Sequence, residues 1–73
     1  MKSIELLARN LGWLQEHAGL STAELAERVN VPVDYLQRLL QAQEDCTVEL
    51  LERLADALEC SVRTFFVYPR VLP

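Results

Sequence analysis

Few side chains in this 73-residue sequence are able to make or break bonds: it holds one histidine, His17, and two cysteines, Cys46 and Cys60. A serine or cysteine nucleophile needs a neighbouring base to activate it. His17 falls beside Glu16 on the polar side of the first helical stretch, where a lone imidazole is ordinarily solvated. Ser3, Ser21 and Ser61 all stand where a helix needs a cap. One His and two Cys fall short of a closed four-ligand zinc site. Gly12 and Gly19 are isolated, which leaves no glycine-rich loop to cradle a phosphate. The two cysteines flank a helical stretch that holds them about 15–20 Å apart, too far to bridge. The expectation is no catalytic residue, no metal, no cofactor and no small-molecule substrate.

The remaining polar side chains bind rather than react, and something must position them. At 51% hydrophobic and 25% charged, with 2 Gly and 3 Pro, the composition is that of an ordered globular chain. A chain this short supports one core, so residues 1–73 are read as a single domain with its core over 3–66 and an apolar tail over 67–73. No run approaches the roughly 18 apolar residues of a membrane helix, and MKSIELLARN lacks signal-peptide architecture. A cytoplasmic chain without membrane association is expected. The net charge of −4, from 11 acidic and 7 basic residues, excludes an indiscriminate nucleic-acid binder, whose affinity comes from neutralising phosphates.

Hydrophobic periodicity gives the elements. Ile4, Leu7, Leu11, Leu14 and Ala18 recur at helical spacing, with Ser3 as N-cap and Gly19 just past the end. Ser21-Thr22-Ala23-Glu24 is a capping box that starts a second helix at Thr22, running to about Val29. Asn30 suits a tight turn through positive φ. Pro32 suits the first position of a third helix, whose stripe of Val33, Leu36, Leu39 and Leu40 continues to about Gln41. Thr47 caps a fourth helix, with Val48, Leu50, Leu51, Leu54, Ala55 and Leu58, ending near Glu59. Ser61 caps one more turn from Val62 to Phe66, and the prolines of the tail forbid further helix.

The second helix, the Asn30 turn and the third helix meet the demands of a helix-turn-helix: Ala26 is small where the helices approach, Leu25 and Val29 face inward, Val31 closes the turn, and Leu36 and Leu39 pin the third helix. From about Leu11 to Phe66 the sequence resembles the Xre, or Cro and phage-repressor, family without a gap. The resemblance is carried by Gly19-Leu20-Ser21, Glu24-Leu25-Ala26, Asn30-Val31, Leu36-Gln37-Arg38-Leu39, Thr47-Val48-Glu49, Leu54-Ala55-Asp56-Ala57-Leu58 and Ser61-Val62 leading to Phe65-Phe66. It implies an all-α, five-helix, lambda-repressor-like bundle, a recognition helix in the major groove of double-stranded DNA, action as a homodimer, and repression of transcription.

Carried over position by position, the resemblance points to Thr22 and to Val33, Asp34 and Gln37 as residues that reach bases or nearby phosphates. Where this chain has Thr22 the family most often has Gln, and it has polar or basic residues at Val33 and Asp34. Val33 suits only a thymine methyl, Asp34 a cytosine amine, and Gln37 pairs with adenine. Arg28, Arg38, Gln41 and Gln43, with the amides that open the second helix, are the candidate phosphate contacts. Glu44 and Asp45 follow closely, so the local field is near neutral. The family's Arg in helix 1 and Glu late in helix 3 fall at Gln15 and Leu40, both lost together, so no charge is orphaned. Its usual Gly falls at Ala42, which predicts a more helical exit from the third helix.

Leu6, Asn10, Trp13 and His17 form a second face of the first helix, and Phe66, Val67, Tyr68, Val71 and Leu72 load the tail with apolar side chains. A domain this small cannot bury all of them. Either the tail folds back over Trp13 and Leu6, or the two surfaces meet across a dimer. The charge and the Val33 and Asp34 departures keep a second function open, a degenerate helix-turn-helix used for protein–protein interaction or dimerisation without DNA.

Overall fold

The computed structural model describes residues 2–67 and consists of α1 (Ser3–His17), α2 (Thr22–Val29), α3 (Val33–Leu40), α4 (Val48–Ala57) and a 3-10 segment over Val62–Phe66. No strand occurs among the described residues. The fold is all-α as expected, with four α-helices in place of five. The last element is 3-10 because it closes with an i→i+3 bond, Thr64 N–H to the Ser61 carbonyl at 3.0 Å. The Ser61 hydroxyl caps no amide there and pairs with Thr64 Oγ1 at 3.3 Å.

One buried cluster joins every element: Leu7 and Leu11, then Leu25, Ala26 and Val29, then Leu36 and Leu39, then Leu50, Leu51, Leu54 and Ala55, and finally Phe65. Each leucine so buried contributes about 1.5–3 kcal/mol of transfer free energy. Asn10 holds the end in place by donating from Nδ2 to the Phe65 and Val67 carbonyls, at 2.8 and 2.7 Å.

All four α-helices end on the same closure. Gly19 (φ 70), Asn30 (φ 60), Ala42 (φ 59) and Glu59 (φ 55) each adopt the left-handed conformation just after a helix. In every case that residue donates its N–H to the carbonyl three residues back, and its successor donates five back. This double bond pattern satisfies carbonyls that the helix end would otherwise orphan. Only Gly19 reaches the conformation without a steric cost from Cβ. The helical exit expected at Ala42 is therefore wrong, since the chain reverses there despite the alanine.

Three boundaries also shift. Lys2, not Ser3, caps α1, because the Glu5 carboxylate reaches back to the Lys2 amide at 3.0 Å. Pro32 precedes α3 in extended conformation (φ −62, ψ 145) rather than opening it. α4 stops at Ala57, ahead of the left-handed Glu59. Both cysteines are free and half-buried, and burial pushes the Cys46 thiol up to about 11 and raises that of Cys60. At neutral pH both are protonated and weakly nucleophilic.

Candidate nucleic-acid interface

The spacing of α2 and α3 is set by the turn between them. Ser21 Oγ accepts from the Glu24 amide at 3.0 Å and the Glu24 carboxylate accepts from the Ser21 amide at 2.8 Å, which is the capping box read from the sequence. The Ser21 backbone donor, then its side chain, hold the Glu24 carboxyl below its ordinary value. At the other end the left-handed Asn30 sends Val31 back to the Ala26 carbonyl at 3.0 Å. Leu36 and Leu39, both 0% exposed, then fix which face of α3 looks outward.

That outward face carries Val33, Asp34, Gln37 and Gln41, all exposed, with Arg38 half-exposed among them. Positions one helical turn apart lie above one another, so these residues form one stripe along α3. Gln43 is exposed beyond its end, and Arg28 is exposed on the last turn of α2. Thr22 is half-buried, and its hydroxyl accepts from Gln15 Nε2 at 3.1 Å. At the start of α2 the Ser21 and Glu24 amides are taken by the capping box, which leaves those of Thr22 and Ala23 for an anion.

Arg38 is the cation at the centre of the stripe, and it is already engaged. Its Nη1 pairs with Asp34 at 3.3 Å, one turn earlier, and its Nε donates to Glu44 at 3.0 Å. The Tyr35 ring lies beneath it, 5.9 Å from the guanidinium carbon to the ring centroid. The Glu44 hydrogen bond leads in raising the Arg38 pKa. Glu44 reaches Arg38 because the Ala42 turn folds the following loop back on α3: Gln43 donates to the Arg38 carbonyl at 2.8 Å, and the Tyr35 hydroxyl to the Asp45 carbonyl at 2.7 Å. The sequence placed Glu44 and Asp45 near Arg38 but gave no sign of this contact. Arg28, by contrast, has no carboxylate within ion-pair distance among the described residues.

The Gln15 and Leu40 departures are resolved unequally. Leu40 packs toward Gly12, where an added Cβ would come to 3.9 Å from Leu40 Cδ2. Gln15 Nε2 finds Thr22, whereas Gln15 Oε1 is buried without a partner among the described residues. No charge is stranded, but one amide oxygen is.

Of the residues assigned to tail or dimer packing, Leu6 is already buried at 6% exposure within one copy. Trp13 is 40% exposed and stacks on His17, with ring centroids 3.8 Å apart. Phe66 and Val67 are 37% and 48% exposed. Tyr68, Val71 and Leu72 lie outside the described residues. No described helix is long and apolar enough to cross a membrane.

Residues 6–64 match the family model of a helix-turn-helix domain. The structure is similar to the clp gene regulator ClgR from Corynebacterium glutamicum, with a TM-score of 0.86 and 29% identity over 89% of this chain and 69% of that one. It is also similar to a hypothetical transcription factor, NHTF, from Neisseria, with a TM-score of 0.88 and 20% identity over 93% of this chain and 78% of that one. At that identity the second likeness speaks for the fold alone. No curated protein matches the sequence.

Proposed function

The chain belongs to the helix-turn-helix domain family, of the Xre and Cro-like class, and from that membership we propose that it is a sequence-specific DNA-binding transcription regulator, acting as a homodimer and repressing its target. The observation that carries the reading is the exposed stripe of α3, presented by a helix whose opposite side is locked by Leu36 and Leu39. A helix so held enters the major groove as a rigid body. Gln37 supplies bidentate hydrogen bonding to adenine and Val33 a methyl contact to thymine. Arg28, Gln41, Gln43 and the α2 amides supply phosphate contacts, and Thr22 sits at the mouth of α2. The similarity to a gene regulator supports the regulatory role. Exposed Trp13, Phe66 and Val67 offer the apolar surface for a two-fold dimer that reads two half-sites.

Fluorescence anisotropy against a pool of duplex DNA, including the region upstream of its own gene, tests this across a salt series. A steep salt slope with preference for one fragment supports the regulator. Undetectable binding at low salt refutes it. The second reading, a module that joins proteins without DNA, draws on Asp34 and Glu44, which neutralise Arg38 in the middle of the reading face. Sedimentation of wild type and Trp13→Ala tests the dimer, and an unchanged profile would sink it.

A further inference from the structure

Arg38, the cation on the exposed stripe of α3, is held between two carboxylates. Asp34 comes from the helix itself, one turn before Arg38, and Glu44 from the loop after it. The loop is fixed independently of these charges, by Gln43 donating to the Arg38 carbonyl and Tyr35 to the Asp45 carbonyl. The backbone that carries Glu44 is thus held beside the guanidinium before the ion pair forms, and only the two side chains are left to order. A surface pair on flexible side chains is ordinarily weak because that ordering cost offsets the Coulomb gain.

We propose that Asp34 and Glu44 form a clamp that withholds Arg38 from the DNA backbone, making Glu44 a specificity-determining residue although it reads no base. The proposal rests on the DNA-binding reading above. With the clamp closed, Asp34, Arg38 and Glu44 together carry one net negative charge. Opening it to give Arg38 to a phosphate leaves two bare carboxylates beside a polyanion, so the new contact is opposed by the groups it abandons. Arg38 then adds little to sequence-independent affinity, which comes almost wholly from phosphate neutralisation. Base contacts from Gln37 and Val33 therefore make up a larger share of what binding remains. Discrimination gained by weakening the wrong complexes in this way costs absolute affinity.

The test is a salt series of fluorescence anisotropy on a random-sequence duplex, with wild type, Glu44→Gln, Arg38→Ala and the double variant. Circular dichroism checks that each stays helical. Freed from Glu44, Arg38 gains a phosphate, so Glu44→Gln steepens the slope of log affinity against log salt by about one. The corresponding gain is roughly 5- to 10-fold near 0.1 M salt. Arg38→Ala then removes about one unit of slope in the Glu44→Gln background and a small fraction of that in wild type. Asp34→Asn acts in the same direction as Glu44→Gln and serves if that variant loses helix. An equal gain from Glu44→Gln with or without Arg38 shows simple charge repulsion and overturns the clamp alone. So does a full unit lost on Arg38→Ala in wild type. No binding by any variant at low salt overturns the DNA-binding reading and the clamp with it.

Discussion

Asn10 and Phe65, 55 positions apart, share a 2.8 Å hydrogen bond from the side-chain amide to the main-chain carbonyl, and the same amide nitrogen reaches the Val67 carbonyl at 2.7 Å. This is how a five-residue 3-10 segment, too short to hold itself, keeps Phe65 at 0% exposure. Asn10→Ala takes the donor from the part-buried Phe65 carbonyl, while the exposed Val67 carbonyl turns to water, and costs about 0.5–1.5 kcal/mol. Asn10→Asp is worse at neutral pH, because it turns a donor into a charged acceptor facing two other acceptors. Urea denaturation measures both, and an Asn10→Asp variant as stable as wild type would contradict this account.

Ala42 stands at φ 59, where L-residues other than glycine carry a penalty of roughly 1–2 kcal/mol. Ala42→Gly removes that strain and returns about 0.4–1 kcal/mol to the entropy of the unfolded chain. The net expectation is stabilisation by about 0.5–1 kcal/mol, read as a higher urea midpoint at constant slope. Since the backbone path is unchanged, the Arg38–Glu44 pair survives. Ala42→Val goes the other way by more than about 1 kcal/mol, the cost of a β-branched side chain in that region.

The starts of α2 and α4 and the Asn30 turn were legible because their residues act locally. Ser21 and Glu24 satisfy each other's amides within one turn, and Asn tolerates positive φ wherever it stands. The reversals at Ala42 and Glu59 were not legible, since neither residue favours a left-handed backbone. The conformation at Glu59 brings Cys60 back onto the core, and no composition signal records that. The Arg38–Glu44 contact was hidden for the same reason: without the Ala42 turn, a spacing of six residues puts the pair on no common face. The exposed stripe of α3, by contrast, followed from the periodicity of Leu36 and Leu39. What a helix does along itself was readable, and what its exit does to the next loop was not.

The capping box gives the fold a sign-definite response to acid. Glu24 sits below its ordinary value of 4.5, chiefly through the Ser21 backbone hydrogen bond and then its side chain. A carboxyl depressed on folding contributes stability that is present above 4.5 and lost as pH falls through the folded-state value. Glu24→Gln therefore lowers the melting temperature at pH 7 and flattens its decline below 4.5. Ser21→Ala removes the other half of the box and costs about 1 kcal/mol. Thermal melts over a pH series check both, and parallel curves for wild type and Glu24→Gln would refute the assignment.

In the proposed DNA complex Gln37 is assigned to base edges and Arg28 to the backbone, so their contributions are separable. Gln37 is exposed on the α3 stripe and has no side-chain partner among the described residues, so its amide is free to pair with a base. Gln37→Ala should cost about 1–3 kcal/mol on the preferred duplex, little on a random one, and leave the salt slope alone. Arg28 lies exposed at the end of α2, and Arg28→Ala should weaken both duplexes equally while reducing the slope by about one. Anisotropy titrations on the two duplexes across salt distinguish the patterns. If Gln37→Ala weakens both duplexes alike, α3 docks without reading the sequence, and specificity must come from the shape of the DNA instead.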